Sequence, residues 1–111
     1  MKERRAHTRL PTSVSAEVLS RGKRLPATTR DLGEGGVGLR TRLPLAEGTT
    51  VLVNMFLTLE GIEDIETKPL SVQAQVAWCA ETDVRSFESG LRFLTLTEEQ
   101  IRLLKDLIAQ L

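Results

Sequence analysis

The strongest constraint on the fold is an alternation of apolar and polar side chains within short segments. It is clearest at 70–78, where apolar side chains occupy one face of a strand and small or polar ones occupy the other. The apolar face comprises Leu70, Val72, Ala74, Val76 and Trp78. This period of two predicts a half-buried antiparallel strand. It assigns Trp78 to core packing and Cys79 to the polar face.

The same alternation predicts further strands along the chain, separated by turn residues and polar stretches. They lie near 14–18, 25–31, 37–40 and 50–59, with a last strand around Leu91 and Phe93. Acidic residues at 60–68 predict a hairpin loop, and the polar stretch 81–88 predicts another loop. Many short strands with regular turns indicate a small β-barrel, here over residues 12–96.

The apolar period changes near the C-terminus. Ile101, Leu104, Ile108 and Leu111 recur at helical spacing, which predicts an amphipathic helix over 97–111. Thr97 and Gln100 fit a capping box at its start. We expect the helix to pack on the barrel mouth, and its wide apolar stripe also leaves a homodimer contact open.

Length and composition narrow the functional classes. A chain of 111 residues is one domain that can bury a core without metal or disulfides. Fifteen basic and fifteen acidic side chains cancel, so general attraction to nucleic acid is not predicted. The single cysteine, Cys79, fits a reducing cytoplasm. His7 is the only histidine, which argues against an enzyme and against a Cys/His zinc site. No apolar run approaches a membrane span.

Two motifs about twenty residues apart carry the functional signal. The first is an arginine group on a polar arm over 1–11, Arg4-Arg5-Ala6-His7-Thr8-Arg9. The second is a glycine-rich turn, Asp31-Leu32-Gly33-Glu34-Gly35-Gly36. Arginine offers a fixed charge and a planar fork of donors, and the turn offers an acid with little side-chain bulk beside it. Together they predict a site for a small ligand that carries phosphate and a hydrogen-bonding base.

In these motifs the chain resembles the PilZ domain family. The arginine group matches the signature RRxxxR, and the glycine turn is similar to (D/N)xSxxG at a typical spacing. Val76-Ala77-Trp78 and Gly90-Leu91-Arg92-Phe93 look like the late barrel strands of the family. The resemblance covers essentially the whole chain. It implies a six-stranded antiparallel PilZ-type barrel with a C-terminal helix, and a non-enzymatic adaptor that binds cyclic di-GMP.

The resemblance also implies the ligand-binding residues. Arg5 and Arg9 come first and Arg4 third, each suited to a phosphate or to the O6 and N7 edge of guanine. Asp31 accepts hydrogen bonds from guanine N1 and N2, and Gly36 allows a close backbone approach. Gly33 replaces the family's serine. One lost neutral hydrogen bond costs about 0.5–1.5 kcal/mol, or roughly tenfold in affinity at most.

Several alternatives stay open at this level. A degenerate PilZ adaptor would work through protein contacts without nucleotide, and a nucleic-acid-binding barrel is less favoured because the chain has few aromatic residues. Trp78 has a minor alternative role against a guanine. Arg40 and Arg42 are expected to be exposed to solvent, with a phosphate contact as the alternative. Ligand phosphates are expected to order the basic arm and so change the surface that a downstream protein meets.

Overall fold

The computed structural model describes residues 10–56, 58–59, 62–63, 69–83 and 85–109. Within these residues the chain forms nine strands and one helix. They are β1 (Leu10–Pro11), β2 (Ser15–Ser20), β3 (Lys23–Leu32), β4 (Gly36–Thr41), β5 (Thr50–Met55), β6 (Thr58–Leu59), β7 (Ile62–Glu63), β8 (Leu70–Asp83), β9 (Ser86–Phe93) and α1 (Glu98–Ala109).

Six of the described strands close into an antiparallel barrel. Their order is β3-β2-β5-β8-β9-β4, and β4 pairs back onto β3 to complete the circle. The short β1 adds to the end of β3, where Leu10 lies opposite Leu32 and Pro11 opposite Asp31. β6 and β7 pair only with each other. The predicted six-stranded barrel with a C-terminal helix is therefore confirmed.

The core follows the predicted alternation over most of the barrel. Val51, Val53 and Met55 of β5 face inward, as do the apolar residues of β8 up to Val76. Burying these side chains supplies the main driving force for folding, at about 25 cal/mol per Å² of apolar surface.

The helix closes one end of the barrel. Leu104 and Leu107 are buried in the core cluster and Ile108 packs against it, whereas Ile101 is exposed and Leu111 lies outside the described residues. The capping box is confirmed, since Thr97 N–H donates to Gln100 Oε1 at 2.8 Å and Gln100 N–H donates to Thr97 Oγ1 at 3.1 Å. No helix in the described part of the chain has the length and apolar character to cross a membrane.

A β-bulge in β8 overturns two sequence predictions. Val76 pairs with Leu91, but Trp78 pairs with Gly90, which leaves Ala77 as an additional residue. One additional residue exchanges the two faces of a strand. Trp78 therefore lies on the outer surface with 38% exposure, and the prediction of core packing is wrong. Cys79 does not lie on the polar outer face as predicted, and its Sγ accepts a hydrogen bond from the N–H of Leu45 at 3.4 Å.

The predicted loop at 81–88 is also wrong, because two long strands extend into it. β8 continues to Asp83 and β9 begins at Ser86, so the chain reverses in a tight turn. Arg85 lies in this turn with a left-handed φ of 64°. A polar outer face gave the segment a loop-like composition, although its backbone pairs as a sheet.

Candidate functional site

One row of four paired residues crosses the outer face of β3, β4, β9 and β8. Asp31 pairs with Gly38, Gly38 with Gly90, and Gly90 with Trp78. The two end residues carry an acidic and an aromatic side chain, and the two inner residues carry none. This row brings a carboxylate and an indole from distant parts of the sequence onto one surface.

Bulges in β3 and β8 determine where the side chains of Asp31 and Trp78 lie. The register of β3 shifts between Thr29 and Asp31, so Arg30 is the additional residue there, as Ala77 is in β8. Thr29 and Leu32 are buried, whereas Arg30 and Asp31 are both partly exposed. β-Bulges commonly re-aim side chains beside functional sites.

The two glycines of the row allow the end side chains to lie close against the sheet. A Cβ at Gly38 would lie 2.8 Å from Oδ1 of Asp31, and a Cβ at Gly90 would lie 2.1 Å from Nε1 of Trp78. Both separations are shorter than non-bonded atoms tolerate. The carboxylate and the indole therefore occupy the space that side chains at these positions would need.

Arg30 connects the two ends of the row. Its Nη2 lies 3.1 Å from Oδ2 of Asp31, and its guanidinium carbon lies 5.5 Å from the ring centroid of Trp78. Its Nη1 pairs with Glu88, whose Oε1 lies 3.3 Å from Nη2 of Arg40. A cation–π contact of this kind contributes about 0.5–1 kcal/mol at an exposed site. One planar cation thus holds both the carboxylate and the indole in place.

One donor of this group has no acceptor. Nε of Arg30 is buried, and no hydrogen-bond partner for it occurs among the described residues. Buried donors in native proteins are almost always paired with protein, water or ligand. Nε of Arg30 is therefore an exception, a buried donor beneath the surface that Arg30 and Trp78 form.

The glycine turn links β3 to β4. Gly33 and Gly36 are buried, and the N–H of Gly33 donates to the carbonyl of Gly36 at 3.0 Å. The carbonyl of Gly35 accepts the N–H of Phe93 at 3.0 Å. Glu34 points outward, 3.8 Å from Nζ of Lys105 on α1. Of the predicted site residues, Asp31 joins the row, while Gly33 and Gly36 lie in the adjoining turn.

The arginine group lies outside the described residues, but its point of attachment is defined. β1 pairs with the end of β3, with Pro11 opposite Asp31, and the N–H of Thr12 donates to the carbonyl of Arg30 at 3.1 Å. The covalent bond to Leu10 holds the Cα of Arg9 within about 3.8 Å of the Cα of Leu10. The basic arm that carries Arg4, Arg5 and Arg9 therefore joins the barrel beside Asp31.

The sequence analysis did not predict that Arg30, Gly38, Glu88 and Gly90 contribute to this surface. The glycines carried a usable signal, because a glycine inside a strand often marks a close approach of another group. Arg30 and Glu88 carried none, since their pairing depends on strand register. Across the described residues, no group of three His, Cys, Asp or Glu side chains is arranged to hold a metal ion.

The family model for the PilZ domain matches residues 3–110, almost the whole chain. The chain belongs to the PilZ domain family. PilZ domains are cyclic di-GMP-binding regulators, and the match includes both motifs. No curated protein sequence matches this PilZ domain.

Solved structures share the fold. The PilZ domain of YcgR from Escherichia coli, solved with cyclic di-GMP, has a TM-score of 0.77 at 20% identity over 98% of this chain and 92% of that chain. The inhibitor of motility MotI/DgrA from Bacillus subtilis has a TM-score of 0.75 at 12% identity, covering 98% of this chain and 51% of that one. PlzA from Borreliella burgdorferi, in complex with cyclic di-GMP, reaches 0.62 at 9% identity, covering 92% and 50%. The present chain thus spans about half the length of the latter two.

Proposed function

We propose that this protein is a cyclic di-GMP receptor that works as a non-enzymatic adaptor. The observation that carries the proposal is that the carboxylate of Asp31 and the indole of Trp78 share one surface, with the guanidinium of Arg30 between them, where the basic arm joins the barrel. An acceptor, an aromatic surface and a source of cations are the groups that a guanine nucleotide with phosphates requires. Family membership independently supports the same ligand.

Each part of the surface suits one part of the ligand. The Asp31 carboxylate accepts hydrogen bonds from N1–H and N2–H of guanine. Adenine does not present this pair of donors. Trp78, which is 38% exposed, and the planar guanidinium of Arg30 offer faces against which a base packs.

The arm supplies the phosphate contacts in this proposal. Arg5 and Arg9 pair with the phosphates or with guanine O6 and N7, and Arg4 adds charge. Contact with the ligand orders the arm across the Asp31 surface and presents a new surface to a downstream protein. Hydrogen exchange tests this step: arm amides become more protected with ligand, and unchanged protection would contradict it.

Calorimetry tests the function directly. Titration with cyclic di-GMP is expected to give micromolar or tighter binding, and linear GMP is not expected to compete. Trp78 is the only tryptophan, so its fluorescence reports the same site without a label. Absence of heat at high protein concentration, with unchanged Trp78 emission, would favour the second candidate. That candidate is an adaptor without nucleotide, and Gly33 in place of the family's serine is the observation in its favour.

Gly33→Ser is expected to tighten cyclic di-GMP binding by up to about tenfold. The added hydroxyl supplies one neutral hydrogen bond, worth about 0.5–1.5 kcal/mol. Gly33→Ala adds the carbon without the hydroxyl, so it controls for the effect of filling this buried position. The prediction is contradicted if the serine variant folds normally and binds no tighter than the alanine variant.

Gly90→Ala is expected to weaken cyclic di-GMP binding about tenfold and to shift Trp78 emission to longer wavelength. The new Cβ would lie 2.1 Å from Nε1 of Trp78, so the indole must move into solvent. A lost base-stacking contact costs about 1–3 kcal/mol. Gly48→Ala is the matched control: it strains a turn residue with φ of 83° that has no neighbour within 4 Å. It should lower the melting temperature while leaving affinity and emission unchanged.

A further inference from the structure

The end of the barrel away from α1 carries a groove that the proposed function does not use. There the segment between β4 and β5 borders the β8–β9 turn on one side and the β2–β3 turn on the other. The groove has a volume of about 780 Å³ and lies between β3, the end of β4 and the β8–β9 turn. Its lining combines three arginines with apolar side chains, namely Arg40, Arg42, Arg85, Leu25, Pro26 and Leu43.

The charged side chains that line this groove are all positive. Arg42 and Arg85 are exposed and form no ion pair within the described residues, and Arg40 makes only a 3.3 Å contact with Glu88. A second groove of about 320 Å³ shares Leu25 and Leu43 with the first and adds Arg21, Lys23 and Arg24. Arg24 has a distant partner, with Nη1 lying 3.9 Å from Oε1 of Glu17. A neutral protein has thus concentrated cations on one surface, and such a surface attracts anionic partners.

Backbone conformation singles out two of these arginines. Among the described non-glycine residues, left-handed φ angles occur at Arg21, with 52°, and at Arg85, with 64°. Turns with this geometry favour glycine, asparagine or aspartate, because other side chains are strained there. Both strained positions carry arginine, and both lie at this end of the barrel. Strain of this kind clusters at functional sites.

Leu43 indicates which kind of anion fits. Its exposed fraction is 60%, the largest among the described large hydrophobic residues, and it lies among the arginines. A peptide with an apolar side chain between acidic ones would cover Leu43 and pair with the arginines around it. Nucleic acid fits less well, because the lining contains no aromatic side chain on which a base could stack.

We infer that this groove binds an acidic segment of a partner protein. Arg40, Arg42 and Arg85 pair with its carboxylates, and Leu43 packs against an apolar side chain of the segment. This goes beyond the proposed receptor function and does not depend on it, because the groove exists without ligand. It assigns a partner contact to the barrel end, in addition to the surface that the ordered arm presents.

The test is a titration of the full chain with a short fluorescent peptide that contains glutamates and two leucines. Binding that weakens with salt, together with amide shifts at Thr28, Arg42 and Ser86, is expected. Joint substitution Arg42→Glu and Arg85→Gly should reduce affinity at least about tenfold, since charge pairs across interfaces are strongly coupled. Arg85→Gly relieves the strained φ, so the variant should retain its fold. Arg102→Glu makes the same charge change as Arg42→Glu, but on the exposed side of α1, so it is the matched control for that substitution and should leave affinity unchanged.

Three results would overturn the inference. They are no peptide binding at low salt, equal binding by the double variant, and tighter binding of an oligonucleotide or of anionic vesicles than of the peptide. Equal affinity for a peptide with serines in place of the leucines would overturn the role of Leu43. Cyclic di-GMP titration of the double variant should match that of the unaltered chain, so failure of the groove inference and failure of the receptor proposal are distinguishable.

Discussion

Arg9→Ala and Arg5→Ala are each expected to abolish measurable cyclic di-GMP binding in calorimetry. In the proposed site each arginine makes charge-assisted bonds to a phosphate or a guanine edge, and such bonds contribute about 1.5–3 kcal/mol each. Loss of two bonds weakens binding by at least about a hundredfold, which moves a micromolar complex beyond detection. Arg9 directly precedes β1 in the chain, and Pro11 of β1 pairs with Asp31 of the proposed base site.

Two arm variants control for charge. Lys2→Ala removes a cation outside the motif and should change affinity by less than about twofold, because a distant exposed charge is screened by salt. Arg4→Ala should give an intermediate loss. If all four substitutions weaken binding equally, the arm acts only through its net charge and the assignment of Arg5 and Arg9 is wrong.

Asp31→Ala is expected to weaken cyclic di-GMP binding about a hundredfold. The carboxylate accepts two guanine N–H donors in the proposed complex, and without it both donors lose their partner. The substitution also removes the 3.1 Å contact with Nη2 of Arg30, which lets the guanidinium move off Trp78. Calorimetry measures the affinity, and Trp78 emission measures the local rearrangement.

Glu34→Ala is the matched control for Asp31→Ala. Glu34 lies three residues away in the same turn, but its carboxylate faces Lys105 on α1 at 3.8 Å. Its loss should leave affinity within about twofold, since an exposed ion pair contributes little. An Asp31→Ala variant that retains its fold and binds within about threefold of the unaltered chain would rule out the carboxylate as the guanine acceptor.

The strands and the helix could be predicted because their signals are local. Alternation along β5 and along the first half of β8 matches the buried faces there. The Thr97 and Gln100 pair predicts the start of α1, and both hydrogen bonds of the capping box form. In a regular element that has one face on the core and one in solvent, apolar and polar side chains recur with the period of the element. That period can be read directly from the amino-acid sequence.

The errors around Trp78 have one cause. The alternation along a strand predicts which face a side chain lies on only while the register with the neighbouring strand is regular. Ala77 is an additional residue opposite β9 and interrupts that register. The tryptophan consequently lies on the outer face, where only a minor alternative had placed it. The residue types around position 77 do not indicate a bulge, because the bulge depends on how β8 pairs with β9.

The amino-acid sequence by itself determined the barrel, the helix and its cap, the family, and the two motifs. Each of these depends on residue types at short, regular spacing. Only the tertiary structure decided that Asp31, Gly38, Gly90 and Trp78 share one row, with Arg30 between its ends. It also decided that arginines from separate turns meet around Leu43. Both results depend on strand register and barrel closure, which bring residues far apart in the chain into contact and leave no local pattern in the sequence.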